Sequence, residues 1–267
     1  MNEFIVVIPN SKYFLGGGFY TNSSVTGNWE DFIVKEVVGY VDKHYRTLVS
    51  PVLRAISGHS MGGFGALSIA FKYPDVFGAV YSLSPGIFNE TGLSECQLIR
   101  GETFISTVMA KRDDFSEQNS LAEYKNYIKD RYSRQDWNTP FLFAYGTAMA
   151  ANPGAPFPHF DYPLKKQDGK LVRIDTIWKK YDQGYGGWNN RINSYLEKSI
   201  SLRIIIFEVG KNDGYKWIVD GSRYLSSLLK KNKIHHEFIE FEGGHEDKVG
   251  QRFENQLLIR LSKELTY

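Results

Sequence analysis

The order of apolar and polar positions predicts a chain in which strands and helices alternate. Short apolar, β-prone runs predict strands at residues 4–8, 53–57, 79–84, 203–209 and 236–241. Apolar positions at helical spacing predict helices over residues 28–45, 65–71, 217–231 and 248–265. We expect residues 4–8 to form a buried strand, because the run is wholly apolar and Pro9 ends it. A strand, a helix and a strand at this spacing indicate parallel pairing with right-handed crossovers, so the sequence predicts an α/β protein with a mostly parallel sheet flanked by helices.

Residues 86–202 follow a looser pattern than the rest of the chain. Helical stretches are predicted at 116–132, 174–181 and 188–197, and between them lie an apolar run at 141–145 and a Pro-, Gly- and aromatic-rich loop at 152–160. This is more chain than one crossover needs. We interpret it as a cap-like excursion that shapes the mouth of a functional site, within a single domain of residues 1–267.

Composition narrows the class of protein. With 267 residues, 42% hydrophobic and 23% charged, the chain is long enough for one large globular domain. A net charge of +2 gives no reason to expect nucleic acid as a partner. The apolar runs are strand-length, so no membrane span is expected. The single cysteine permits a reducing compartment, so we expect a cytoplasmic protein, with secretion left open if an N-terminal segment is missing.

The motif Gly58-His59-Ser60-Met61-Gly62 lies between the predicted strand 53–57 and the helical run that follows. A strand, a glycine-flanked serine and a helix make the nucleophile elbow of α/β-hydrolases. The glycines are needed because the serine sits on a cramped turn, where neighbouring side chains would clash. The alternative is a small-residue turn that only packs a helix on a sheet.

A serine hydroxyl needs a base, and the base needs an orienting carboxylate. In α/β-hydrolases the chain order is Ser, Asp or Glu, then His, each after a strand. His245 follows the last predicted strand, whereas the other histidines precede the serine, lie in its motif or lie at the wrong place along a strand. Asp213 follows the strand 203–209, although it could merely cap the next turn; Glu208 within that strand and Asp220 in the next helix are weaker alternatives. No Cys/His cluster or carboxylate pair has metal-ligand spacing, so we expect no metal and no cofactor.

At these positions the sequence resembles the esterase D or "putative esterase" family of α/β-hydrolases, which includes feruloyl and acetyl esterases, S-formylglutathione hydrolase and mycolyltransferases. The matching stretches are Gly-Asn-Trp-Glu-Asp-Phe-Ile at 27–33, Tyr-Arg-Thr at 45–47, Gly-His-Ser-Met-Gly-Gly-Phe-Gly-Ala-Leu at 58–67, Pro-Asp-Val-Phe at 74–77, Leu-Ser-Pro at 83–85 and Gly-Gly-His at 243–245. The resemblance implies an α/β-hydrolase fold with Ser60 as nucleophile, Asp213 as acid and His245 as base. It also implies the backbone N–H of Met61 as one oxyanion donor.

The sequence departs from the family at its N-terminal end. Family members have strands ahead of the one matched by residues 4–8, and a Leu-His-Gly-like loop there supplies the second oxyanion N–H. We find no such segment, so we expect a fold that lacks the usual N-terminal strands. Losing one oxyanion donor costs on the order of a hundredfold to a thousandfold in rate, and losing a strand leaves backbone groups unpaired. We therefore expect either self-association or weakened stability.

Three functions remain open. The first is a serine carboxylesterase acting on short-chain or aromatic esters, of feruloyl or acetyl type, through an acyl-enzyme on Ser60. The second is an acyltransferase with the same triad, and the third is a catalytically weak or silent binding protein. Aromatic residues are 15% of the chain, and candidates for a substrate pocket are Phe19, Tyr20, His59 and Trp188, with core packing as the alternative for each aromatic residue.

Overall fold

The structure is a computed structural model that describes residues 3–99, 101–118 and 121–265. These residues form two compact units. The first unit contains residues 3–9, 31–90 and 185–265, and the second contains residues 10–30 and 91–184 apart from those not described.

A four-stranded parallel sheet lies at the centre of the first unit. Its strands are β1 (Ala55–His59), β2 (Ala79–Leu83), β3 (Ile204–Gly210) and β4 (Glu237–Phe241). Their spatial order is β4-β3-β2-β1, and every neighbouring pair is parallel. All residues of β2 and β3 are buried, as expected for the central strands of a parallel sheet covered on both faces.

The helices described in the first unit are α1 (Val38–His44), α2 (Met61–Lys72), α3 (Trp188–Leu196), α4 (Lys216–Lys231), α5 (Val249–Arg252) and α6 (Ile259–Glu264). Leu257 and Leu261 pack against alternate residues of β2, whereas Ser82 between those residues donates to the carbonyl of Gly63 in α2. The two-residue period of the strand thus directs its side chains to two helical layers.

Two helical stretches contain π-helical segments. Trp29–Asp31 is continued by π-helical Phe32–Val37 into α1, and Phe253–Leu258 joins α5 to α6. A 3₁₀ turn, Pro51–Leu53, precedes β1. The predicted helices at 28–45 and 248–265 are therefore confirmed as helical stretches with π-helical middles.

The second unit is mainly helical. Its helices are Gly92–Glu95, Glu102–Gln118, Leu121–Ser133, Asn138–Met149 and, ending at the unit boundary, Asp175–Tyr185. Its two-stranded antiparallel pairs join Lys12–Tyr13 to Gly16–Gly17, Asn22–Ser23 to Gly27–Asn28 and Leu164–Gln167 to Lys170–Arg173. Tyr124 lies at its core, with aromatic rings of Phe115, Phe143 and Phe157 about it. Much of the aromatic content of the sequence therefore serves packing.

The prediction of a buried strand at residues 4–8 is wrong. These residues belong to no strand, and their side chains are 39–85% exposed, with Ile8 the most exposed. A strand needs a hydrogen-bonded neighbour, and residues 4–8 pair with none of the described strands. β1 in turn pairs only with β2 among them, which makes β1 an edge of the sheet.

Other differences from the sequence predictions are matters of extent. The predicted strand 53–57 lies two residues later, at Ala55–His59, because Pro51–Leu53 forms a 3₁₀ turn. Within the predicted helix 116–132, residues 116–118 end one helix and residues 121–132 belong to the next, whereas residues 119–120 lie outside the described residues. The apolar run 141–145 is helical. The second unit also has different limits from the predicted excursion 86–202, since α3 belongs to the first unit. The interpretation of that excursion as a cap stays a prediction. No helix within the described ranges has the length and apolar character to cross a bilayer.

Candidate active site

Ser60 lies on a tight turn between β1 and α2. Its backbone has φ 56° and ψ −113°, outside the regions that a serine ordinarily adopts. Its N–H donates to the carbonyl of Leu83 at the end of the neighbouring strand, 2.9 Å away. A Cβ at Gly58 would lie 2.3 Å from the carbonyl oxygen of Gly62, so position 58 requires glycine for the chain to turn this sharply. The turn therefore has the form of a nucleophile elbow.

Two loops at the same edge of the sheet carry the acid and the histidine. β3 ends at Gly210 and β4 at Phe241, and these parallel neighbours end side by side. The loops are joined by backbone hydrogen bonds, from the N–H of Asn212 to the carbonyl of Gly243 at 3.0 Å and from the N–H of Lys211 to the carbonyl of Phe241 at 2.9 Å. A Cβ at Gly210 would lie 2.3 Å from the carbonyl oxygen of Gly243, so this contact also needs a glycine.

The three side chains form one continuous hydrogen-bonded chain. His245 Nε2 lies 2.8 Å from Ser60 Oγ, and His245 Nδ1 lies 2.7 Å from Asp213 Oδ2. The side chain of Asp213 is fully buried and that of His245 is 10% exposed. A carboxylate can only accept, so Nδ1–H donates to Asp213 and Nε2 is left to accept the serine proton.

Tyr215 contacts both members of the acid–histidine pair. Its backbone N–H donates to Asp213 Oδ1 at 2.8 Å, so each carboxylate oxygen accepts one hydrogen bond. Its ring meets the ring of His245 edge-on, with centroids 5.2 Å apart. These contacts fix the carboxylate plane and one side of the imidazole.

His59 holds the backbone of the histidine loop. Its Nε2–H donates to the carbonyl oxygen of His245 at 2.9 Å, and the two rings lie 4.9 Å apart. Burial lowers the pKa of His59 below its ordinary value of 6.5, and the hydrogen bond to the carbonyl opposes this shift only in part. The predicted contact between His59 and substrate stays a prediction, and in the structure its ring is half-buried and bonds the histidine loop.

One group among the described residues could in principle bind a metal ion. The side chains of His59, His245 and Glu246 have ligand atoms within 4.8 Å of one another. Both ring nitrogens of His245 already bond to Asp213 and Ser60, however, so a metal there would compete with the hydrogen-bonded chain. His245 is therefore better placed for proton transfer than for metal binding.

The remaining residues predicted from the sequence have different surroundings. Met61 is the first residue of α2, so its N–H has no acceptor within the helix and lies beside Ser60. Trp188 is 1% exposed, with its ring edge-on to Phe71, and Phe19 of the second unit is equally buried. Side chains as buried as these present no surface to a ligand, in contrast to the prediction that Phe19 and Trp188 line a substrate pocket. Tyr20, also in the second unit, is half-buried.

Sequence reasoning missed a buried ion pair beside the site. Arg252 Nε donates to Glu208 Oε1 at 2.7 Å, and both side chains are almost fully buried. From the sequence, Glu208 is only a weaker candidate acid. The signal was present, because a carboxylate within an otherwise apolar strand needs a buried partner.

Comparisons with known proteins give a family model that matches most of the chain and a curated relative that matches a shorter part of it. A family model described as "Esterase: Putative esterase" matches residues 4–261. Esterase MT1326 of Mycobacterium tuberculosis (strain CDC 1551 / Oshkosh) is 38% identical over 84 residues, which are 30% of this chain. The match covers only 18% of that protein.

Solved structures share the fold at low identity. FphF, a fluorophosphonate-binding serine hydrolase of Staphylococcus aureus, superposes with a TM-score of 0.52 at 16% identity, over 94% of this chain and 68% of that one. A ferulic acid esterase has a TM-score of 0.48 at 16% identity, over 92% of this chain and 65% of that one. The FphF likeness shows the α/β fold.

Proposed function

Because this chain belongs to the putative esterase family, we propose that it is a serine carboxylesterase in which Ser60, His245 and Asp213 carry the reaction. The observation that supports this most is the unbroken chain of hydrogen bonds from Asp213 through His245 to Ser60, at 2.7 and 2.8 Å. Each distance is already within the range needed for proton transfer. We propose a short-chain or aromatic ester as substrate.

The reaction follows from these contacts. Ser60 Oγ attacks the ester carbonyl carbon while its proton passes to His245 Nε2, and buried Asp213 stabilises the resulting imidazolium. The carbonyl oxygen becomes an oxyanion near the N–H of Met61 at the positive end of α2. The alcohol leaves with the proton from His245. A water molecule then gives a proton to His245 Nε2 and attacks the acyl carbon, and Ser60 Oγ takes that proton as it leaves, which releases the acid.

The test is hydrolysis of p-nitrophenyl esters of increasing chain length, together with methyl ferulate. We expect turnover of at least one ester, with loss on substitution Ser60→Ala. Ser57→Ala is the matched control, because Ser57 lies on β1, the strand that leads to Ser60, and its hydroxyl is buried and has no hydrogen-bond partner in the described structure. Equal loss in both variants would mean that the substitutions damage β1 and not the chemistry.

A fluorophosphonate probe separates the remaining alternatives. Labelling of the wild-type chain at Ser60 supports acyl-enzyme chemistry, and labelling that survives Ser60→Ala would place the nucleophile elsewhere. No labelling of the wild type would favour the silent binding protein. Product analysis with and without an added alcohol acceptor distinguishes hydrolysis from acyl transfer.

We further propose that the protein self-associates in the cytoplasm. Two features support association: β1 is an edge strand among the described strands, and the apolar residues 4–8 are exposed. An exposed strand edge and apolar surface favour pairing with another chain. Sedimentation velocity over a hundredfold range of concentration tests this, and a single monomeric species throughout would contradict it. The cytoplasmic location is based on the single cysteine, which is free and buried, and localisation of a tagged chain tests it.

A further inference from the structure

The ion pair between Arg252 and Glu208 differs in its burial from the other lysine and arginine ion pairs described in the first unit. The two side chains are 4% and 1% exposed, whereas those of Arg260 and Glu237, which join the same C-terminal helical region to β4, are 42% and 41% exposed. Removing two charges from water is costly, and apolar residues of similar size often stabilise a fold as well or better. Stability alone therefore does not account for this pair.

The guanidinium is held on several sides. Glu208 of β3 accepts from Arg252 Nε at 2.7 Å and uses its second oxygen to accept from the Tyr81 hydroxyl at 3.1 Å. Arg252 Cζ lies 3.7 Å from the ring centroid of Phe241, the last residue of β4. The charge is thus fixed between the strands that precede the acid loop and the histidine loop.

Arg252 also reaches into the histidine loop itself. Its Nη1 donates to the carbonyl oxygen of Asp247 at 3.1 Å. The side chain of Asp247 in turn accepts from the N–H of Gly244 at 2.7 Å, so Asp247 closes the short loop around His245. Asp247 therefore fixes the segment 244–247, which contains His245. Its side chain bonds the first residue of the segment, and its carbonyl bonds Arg252 at the other end.

We propose that Arg252, braced by Glu208, is a positioning residue that holds the loop of His245 in register with Asp213 and Ser60. The inference rests on the proposed esterase function and deepens it. Arg252 touches neither substrate nor the reacting atoms, and it acts through the carbonyl of Asp247. A planar guanidinium suits this role, because it can donate to a carboxylate and a carbonyl at once from a rigid fork.

The critical experiment removes the pair without leaving an unpaired buried charge. The double variant Arg252→Met/Glu208→Gln is neutral at both positions, and the amide oxygen of the introduced glutamine remains an acceptor for Tyr81. We expect a melting temperature a few degrees below that of the wild type, because the buried amide NH₂ of the introduced glutamine has no acceptor. We also expect kcat lowered about tenfold to a hundredfold and KM within about twofold, because small displacements of a catalytic group impair the chemical step. The control is Arg260→Met/Glu237→Gln, the same change at the exposed pair, which should leave kcat unaltered.

A second variant tests the same proposal if the double variant does not fold. Arg252→Lys keeps the charge opposite Glu208, but a single ammonium on a flexible stem lacks the fork that serves two acceptors. We expect a folded protein whose kcat is reduced with KM unchanged. If either folded variant keeps kcat within about twofold of the wild type, or if KM rises while kcat does not change, the positioning role is overturned. Absence of wild-type turnover and of fluorophosphonate labelling at Ser60 would instead refute the proposed function.

Discussion

Substitution Asp213→Asn gives the sharpest test of the acid. Both neighbours of this carboxylate are donors: Tyr215 N–H bonds Oδ1 at 2.8 Å and His245 Nδ1–H bonds Oδ2 at 2.7 Å. An amide offers one acceptor oxygen and one donor NH₂. It can satisfy both neighbours only if His245 Nδ1 gives up its proton and accepts from the amide.

That exchange places the imidazole proton on Nε2. Nε2 then points an N–H at Ser60 Oγ, 2.8 Å away, and can no longer take the serine proton. We expect kcat to fall by about 10⁴, or about 5 kcal/mol of transition-state stabilisation. In the other orientation the amide NH₂ meets the N–H of Tyr215 at a fully buried position, which leaves donors unsatisfied and lowers stability instead.

The assay is steady-state hydrolysis of a p-nitrophenyl ester, with the melting temperature measured in parallel. Asp220→Asn is the matched control, since it changes the charge equally in the following helix. Asp220 bonds Lys216 near the surface and is 23% exposed, so its loss should alter kcat less than about twofold. A decrease of less than about tenfold in Asp213→Asn, or an equal decrease in Asp220→Asn, would refute the assignment of the acid.

Three further predictions concern stability and reactivity. Gly58→Ala should unfold the elbow or sharply lower the melting temperature, since its Cβ would lie 2.3 Å from backbone, whereas Gly39→Ala, with nothing within 4 Å, should be neutral or stabilising. Because the pKa of buried His59 is lowered, the unfolded chain binds more protons than the folded one, so stability should decrease as pH falls through 6.5. In His59→Gln the melting temperature should decrease less than in the wild type between about pH 7 and 5.5. An equal decrease in both proteins over this interval would contradict the contribution of His59. Burial raises the pKa of Cys96 to about 12, so a thiol reagent should modify it only after denaturation, and modification of the native chain at an equal rate would contradict this.

The sheet and its helices could be predicted because their signals are local. Continuous apolar runs predicted β2 and β3, and the elbow motif marked the start of α2. The positions of Asp213 and His245 followed from a geometric rule, since parallel strands bring their C-terminal loops to one edge. What could not be predicted was whether residues 4–8 have a strand to pair with. Residues 4–8 have the composition of a strand, but a strand also needs a neighbour, and the pattern of one segment contains no information about another.

The second unit was harder to predict for a related reason. Its helix Asn138–Met149 is apolar on nearly all sides, so it shows no helical period, and an apolar run of that kind resembles a strand equally well. The role of His59 was also hidden, because its partner is 186 residues away along the chain. Contacts of this range depend on the assembled sheet.

Glu208 is a buried charge whose need for a partner is visible in the sequence, although the identity of that partner is not. A carboxylate at a position 1% exposed, within a strand of isoleucine, phenylalanine and valine, requires a cation nearby, and the sequence offers 32 lysines and arginines without indicating which. Only the return of the C-terminal helical region over β4 brings Arg252 to it. The C-terminal helical region begins just after the loop that carries His245. Arg252, near the start of this region, therefore pairs with a carboxylate on β3, the strand that leads to Asp213. The pair therefore lies between the loops of Asp213 and His245, whose side chains are hydrogen-bonded although they are 32 residues apart along the chain. Two apolar side chains would often stabilise the fold at this place as well or better, which is why we assign the pair to the alignment of the two loops.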